Sequence, residues 1–144
     1  MSHTALTAEE IAGLSEQPFF KTDALIAGCW QGSTDGDTFA VENPATDEVI
    51  AVVANCGAIE TEQAITAASD ALAGWAQTPA KSRAKILRAW FDLIIENEQD
   101  LARLLTIEQG KPLDEALGEV RYGASFIEWF SEEAKRIYGD VIPA

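Results

Sequence analysis

The sequence predicts an α/β fold in which short β-hairpin strands precede about four helices. The chain has 144 residues, of which 47% are hydrophobic, and that length is enough to bury a core. Between residues 24 and 54, short apolar runs alternate with turn-forming residues, as in successive hairpin strands. After Gly57 the apolar residues recur every three or four positions, which is the spacing of amphipathic helices.

The strands are predicted at residues 24–30, 38–42 and 48–54. Residues 31–36 contain Gly, Ser, Thr and Asp, and residues 43–47 read Asn-Pro-Ala-Thr-Asp. Both segments are rich in turn-forming residues, because Pro presets φ and Asn or Asp tolerates tight turns. We therefore expect short neighbouring strands joined by turns.

Two helices are predicted between residue 58 and about residue 97. The first has an apolar face formed by Ile65, Ala68, Leu72 and Trp75. The second is expected to begin with Thr78 as N-cap and Pro79 as first helical residue, and its apolar positions are Ala84, Leu87, Phe91 and Ile94. Four basic residues in this helix are interpreted as a solvated face, since no glycine-rich loop adjoins them: Lys81, Arg83, Lys85 and Arg88.

Two further helices are predicted at about residues 98–108 and 113–138, separated by Gly110-Lys111-Pro112. The last helix has one apolar stripe at Leu113, Leu117, Val120, Ala124 and Ile127, and a second, aromatic side at Phe126, Trp129 and Phe130. A helix that is apolar on two sides is usually buried on two sides. Its second side therefore needs a neighbour, which is a partner chain, a pocket or another part of the protein.

The charge is strongly acidic and unevenly distributed. The formal net charge is −14, of which −11 falls in residues 1–72. Such a surface repels phosphate backbones and anionic lipid, so neither nucleic acid nor a membrane surface is an expected partner. No apolar run approaches the length of a membrane span, and residues 1–10 lack the features of a secretory signal.

The two cysteines, Cys29 and Cys56, do not form a disulfide framework, and we expect both to be reduced and largely buried. His3 is the sole histidine and falls in a predicted N-terminal tail. A Cys–His or Ser–His nucleophile is therefore not expected. Reduced thiols suggest a cytoplasmic location. Common nucleotide-binding, metalloprotease and CxxC motifs are absent.

Several stretches, in order and at consistent spacing, resemble the aldehyde dehydrogenase family. Residues 24–30 (ALIAGCW) resemble its opening strand, and residues 42–49 (ENPATDEV) resemble its NPAT-G-E-V turn, with Asp47 where glycine is commoner. Residues 106–112 (TIEQGKP) resemble its T-x-E-x-G-K-P segment. Residues 125–143 are similar to the form found in succinate-semialdehyde dehydrogenases within the family. The resemblance covers residues 20–144.

This resemblance implies the N-terminal segment of an NAD(P)-dependent aldehyde dehydrogenase, most like those that oxidise succinate semialdehyde to succinate. It divides the chain into a tail, residues 1–22, and an incomplete N-terminal segment of the cofactor-binding domain, residues 23–144. The family's catalytic Cys, Glu and Asn and its cofactor-binding Lys and glycines have no counterpart in these residues. No catalytic, cofactor-binding or metal residue is therefore assigned, and the chain alone is expected to bind no cofactor and to be inactive.

The resemblance also implies where substrate and partners lie. Tyr122 and Phe126 correspond to positions on a helix that lines the family's substrate tunnel, whereas Trp129 and Phe130 are expected to pack against the rest of the domain. The expected partners are the remainder of the dehydrogenase, homo-oligomer partners and a small aldehyde. Two alternatives stay open, namely a related aldehyde as substrate and a free-standing helical interaction module without enzymatic activity. The choice between NAD and NADP also stays open.

Overall fold

Two antiparallel hairpins form the first part of the molecule. In the computed structural model, which describes residues 13–142, β1 (Ala24–Ile26) pairs with β2 (Cys29–Gln31), and β3 (Thr38–Glu42) pairs with β4 (Val49–Ala54). Residues 13–15 are helical. Most of the predicted N-terminal tail, including His3, lies outside the described residues.

The prediction of a single strand at residues 24–30 is wrong, because the chain reverses in the middle of this segment. Ala27 and Gly28 have φ values of 52° and 79°, and Ile26 pairs directly with Cys29. Two consecutive residues with positive φ form the tight turn that best matches the twist of a hairpin. Ala27 concealed this turn in the sequence, since alanine seldom adopts positive φ.

The second hairpin is confirmed almost residue for residue, and its turn is closed by hydrogen bonds around the buried Asn43. The Asn43 N–H donates to the Glu48 carbonyl at 2.9 Å, and the Asn43 carbonyl accepts from the N–H groups of Thr46 and Asp47 at 3.2 and 2.8 Å. The Asn43 Oδ1 accepts from the Ala45 N–H at 2.9 Å. Asp47 has φ of 59°, which explains why glycine suits this position.

Four helices follow: α1 (Ala58–Gln77), α2 (Ala80–Glu96), α3 (Glu98–Gln109) and α4 (Leu113–Glu133). Thr78 was predicted to cap the start of α2, but it closes the end of α1. Its N–H donates to the Trp75 carbonyl at 3.1 Å, and its hydroxyl donates to the Gly74 carbonyl at 3.0 Å. Pro79 holds the N-cap position of α2, because its ψ of 138° is extended and not helical.

The last helix is shorter than predicted, since it ends at Glu133 rather than at residue 138. The N–H groups of Lys135 and Arg136 donate to carbonyls three residues back, at 3.2 and 2.9 Å, which tightens the chain beyond helical geometry. The side chains of Ile137 and Tyr138 are 75% and 78% exposed. No packing therefore supports a continuation of the helix.

The helical core consists mainly of small side chains where α4 packs against α2 and α3. Small residues let helices approach closely, and they are buried here at Ala84, Ala102, Ala116, Ala124 and Ser131, together with Ile107. The predicted inward stripe of α4 matches this side of the helix, except that Leu113 is exposed. The predicted α/β class, with short strands followed by helices, is confirmed.

The apolar face of α1 is exposed, although its residues do share one side of the helix. Ile65, Leu72 and Trp75 all present large hydrophobic surface. In the part of the chain that the structure describes, no helix is both long and apolar enough to cross a bilayer. The division into a tail at residues 1–22 and a segment at residues 23–144 stays a prediction.

Candidate functional site

The candidate site is an open groove along the exposed side of α4. Residues four and three positions apart on a helix share a face, so Tyr122, Phe126 and Trp129 stand in one row. The groove has a volume of about 830 Å³. It is lined by Arg88, Tyr122, Ser125, Phe126, Glu128, Trp129, Phe130, Glu132, Glu133 and Arg136.

Tyr122 and Phe126, the two residues assigned to a substrate tunnel, lie together in this groove. Their ring centroids are 4.9 Å apart and their planes meet at 76°, which is the favoured edge-to-face arrangement of aromatic pairs. Both side chains are exposed. The structure therefore brings the predicted pair together on one accessible face, and its contact with a substrate stays a prediction.

The sequence did not identify Trp129 and Phe130 as groove residues. Their expected packing against the rest of the domain stays a prediction, and in this structure both are exposed and line the same groove as Tyr122. The sequence did contain an indication of this for Trp129, because Tyr122, Phe126 and Trp129 are four and three positions apart. This spacing places Trp129 on the same side of α4 as the predicted pair.

Arg88 lies on the solvated face predicted for α2, where it is exposed, and its side chain reaches the edge of this groove. Its guanidinium donates to Asp92 and to Glu128, in both cases at 3.0 Å, and it lies 4.8 Å from the centroid of the Phe91 ring. Ion pairs this exposed stabilise a protein by only about 0–1 kcal/mol. Their main effect here is to give the Arg88 guanidinium two carboxylate partners beside the aromatic row.

The remaining charges at the groove are also paired. Arg136 bonds to Glu133 at 3.0 Å, and Lys135 bonds to Glu132 at 2.7 Å. The hydrogen bond from Lys135 is the main cause that lowers the pKa of Glu132. Both arginines that line the groove have carboxylate partners, so neither is a free positive charge. The groove therefore presents mainly aromatic surface to a ligand.

A two-point ion pair holds α4 to the start of α3 beside Tyr122. Arg121 donates from Nε and Nη2 to the two carboxylate oxygens of Glu98, at 2.8 and 2.7 Å. This fork geometry is among the stronger charged contacts in proteins. It lowers the pKa of Glu98 and raises that of Arg121. The residue next to Tyr122 is therefore fixed to a neighbouring helix.

Both cysteines are free, and both are exposed, whereas burial was expected. Cys29 directly follows the tight turn of the first hairpin, and Cys56 lies in the connection between β4 and α1. At neither position does another helix or strand of the described residues cover the thiol. Within residues 13–142, no group of three or more His, Cys, Asp or Glu side chains is arranged to hold a metal ion.

Comparison with known proteins gives a family and a set of relatives. The sequence model of the aldehyde dehydrogenase family matches residues 30–144. Glutarate-semialdehyde dehydrogenase of Pseudomonas aeruginosa is 57% identical over 90% of this chain and 27% of its own length. Succinate-semialdehyde dehydrogenase [NADP(+)] of Escherichia coli is 53% identical over the same shares of the two chains.

Comparison of the fold with solved structures gives members of the same family. A crystal structure of an aldehyde dehydrogenase from Brucella melitensis biovar abortus aligns with a TM-score of 0.85 and 54% identity. The alignment covers 90% of this chain and 27% of that one. The chain thus spans about a quarter of the length of the relatives it matches.

Proposed function

The chain belongs to the aldehyde dehydrogenase family, and from that membership we propose that it supplies the N-terminal segment of an NAD(P)-dependent enzyme that oxidises succinate semialdehyde to succinate. The observation that carries this proposal is the identity of 53–57% with two semialdehyde dehydrogenases across nine-tenths of the chain. The proposed partners are the rest of such an enzyme and further copies of it. The proposed location is the cytoplasm.

In this proposal the segment's own role is to hold the aldehyde, and the chemical steps belong to residues outside it. Tyr122 and Phe126 form an aromatic wall that packs against the alkyl chain of the substrate and excludes water. NAD or NADP, held by residues of the complete enzyme outside this segment, would supply the hydride acceptor. The chain alone is expected to show no dehydrogenase activity, because the family's catalytic Cys, Glu and Asn have no counterpart among its 144 residues.

A second candidate substrate is glutarate semialdehyde, which is one methylene longer. The specific support is that the Pseudomonas aeruginosa relative, at 57% identity, carries that activity in its name. One methylene in an apolar pocket changes specificity by only about 1–3 kcal/mol. Both substrates therefore need to be measured on the same protein. A helical interaction module has weaker support, since the relatives named here are dehydrogenases.

The test is a chimera in which this chain replaces the matching N-terminal segment of the Escherichia coli relative. We expect NADPH formation from succinate semialdehyde, with the native relative and the isolated 144-residue chain as controls. The ratio of kcat/KM for succinate and glutarate semialdehyde then ranks the two substrates. A folded chimera that is inactive towards both aldehydes would contradict the proposal, as would robust activity of the isolated chain.

A further inference from the structure

Two motifs that lie far apart in the sequence meet at one close contact. Pro44 belongs to the turn between β3 and β4, and Gly110 follows the last residue of α3. A Cβ atom at position 110 would lie only 2.9 Å from the Pro44 Cγ, which is closer than carbon atoms pack. Gly110 also has φ of 76°, a region that favours glycine.

Neither side of this contact can move aside easily. The turn that carries Pro44 is closed by the four hydrogen bonds of Asn43 described above, and Pro44 itself is a ring with a fixed φ. On the other side, the Gly110 N–H donates to the Thr106 carbonyl at 2.8 Å and ends α3 in left-handed geometry. A side chain inserted here would displace one element relative to the other.

From this contact the chain runs directly into the helix that bears the aromatic row. Lys111, whose side chain is 17% exposed, forms an ion pair with Glu119 on α4, and Pro112 holds the N-cap position of α4. Glu119 precedes Tyr122 by three positions, so the two share a face of the helix. A shift at Gly110 is therefore transmitted to the start of α4 and to Tyr122.

We propose that Gly110 is a positioning residue that acts through Pro44. Their contact sets α4, and with it Tyr122, at a fixed place relative to the second hairpin. This inference rests on the proposed function, in which Tyr122 contacts the aldehyde. Gly110 itself touches neither substrate nor cofactor.

The experiment uses the chimera described above and measures the KM for succinate semialdehyde and for NADP+. We expect Gly110→Ala to raise the aldehyde KM about tenfold, because misplacing a substrate-positioning group by about 1 Å can cost up to about 10²-fold. The KM for NADP+ should change less than about twofold. Pro44→Ala combined with Gly110→Ala should recover part of the loss, since it removes the Cγ atom that the new Cβ meets.

The matched control is Gly74→Ala in α1, where a Cβ has no atom within 4 Å, and its kinetic constants should equal those of the parent chimera. If the parent is active and Gly110→Ala behaves like this control, or if Pro44→Ala gives no recovery, the positioning role is overturned and the proposed function stands. If the parent chimera is folded and inactive, the proposed function fails and the positioning role fails with it.

Discussion

Glu60 is a buried carboxylate held at both of its oxygens. It is the third residue of α1 and is only 4% exposed. Its two oxygens accept from the backbone N–H groups of Thr34 and Gly57, each at 2.8 Å. Hydrogen bonds from Thr34, first from its side chain and then from its backbone, lower the pKa of Glu60 to about 2, and the Gly57 N–H adds to this effect. One side chain thus caps a helix and fixes the loop before β3.

This arrangement predicts how acid destabilises the chain. The folded pKa of Glu60 lies below its unfolded value, so its stabilisation is present above the unfolded value of 4.5 and is lost as the pH falls towards 2. Glu60→Gln should lower the midpoint of thermal unfolding at pH 7 and differ little from the parent near pH 2, because a neutral amide cannot accept both N–H groups as strongly. Circular dichroism melts at both pH values measure this.

Glu62→Gln is the matched control, since Glu62 is an exposed residue of the same helix, and it should leave the melting midpoint at pH 7 unchanged. An equal effect of the two substitutions at pH 7 would show that Glu60 contributes no more than an ordinary surface charge.

The sequence located the aromatic pair but not its surroundings. Tyr122 and Phe126 could be assigned because their helix corresponds, by the family resemblance, to one that lines a substrate tunnel, and because their spacing fits one helix face. The ion pair from Arg88 to Glu128 and the contact of Pro44 with Gly110 could not be found this way, since they join residues far apart along the chain. The exposure of the cysteines likewise depends on which elements cover them, and local pattern carries no such information.

At the scale of elements, the spacing of apolar residues placed the four helices and the second hairpin, whereas the first hairpin was predicted as a single strand. β3 and three of the helices follow the predicted bounds within a few residues, because their apolar spacing is clear. The turn at Ala27 and the early end of α4 were missed. Both are decided by backbone conformation and by packing, and the residue types at those positions do not reveal them.

The packing of α4 against its neighbours gives a prediction at this scale. Ala124 is 1% exposed, so Ala124→Leu forces extra volume into a filled interface and should destabilise the chain by about 1–3 kcal/mol. Urea unfolding followed by circular dichroism measures the change. Ala89→Leu on the exposed side of α2 is the control, expected to stay within about 0.5 kcal/mol of the parent. Equal stability of the two variants would mean that the α4 interface is loosely packed.

Across the whole molecule, large hydrophobic side chains stay exposed on both hairpins and on α1, α2 and α4. Exposed apolar side chains in such number are typical of surfaces that contact other protein or a ligand. Because the aligned 130 residues make up only 27% of the Pseudomonas aeruginosa relative, that relative is more than three times as long as this chain. In the proposed enzyme, the exposed apolar side chains can therefore contact further protein or the substrate. The paired charges around the α4 groove favour an uncharged alkyl chain against the aromatic row.

The central claim is that this aromatic row faces an aldehyde in the complete enzyme. The most direct measurement is the kcat/KM for succinate semialdehyde of the chimera carrying Tyr122→Ala, beside Tyr138→Ala, an exposed tyrosine beyond the end of α4. Loss of one aromatic contact of about 1.5 kcal/mol predicts a fall of about tenfold for Tyr122→Ala, with an unchanged KM for NADP+ and no effect of Tyr138→Ala. Equal kcat/KM values for the two variants would contradict the claim.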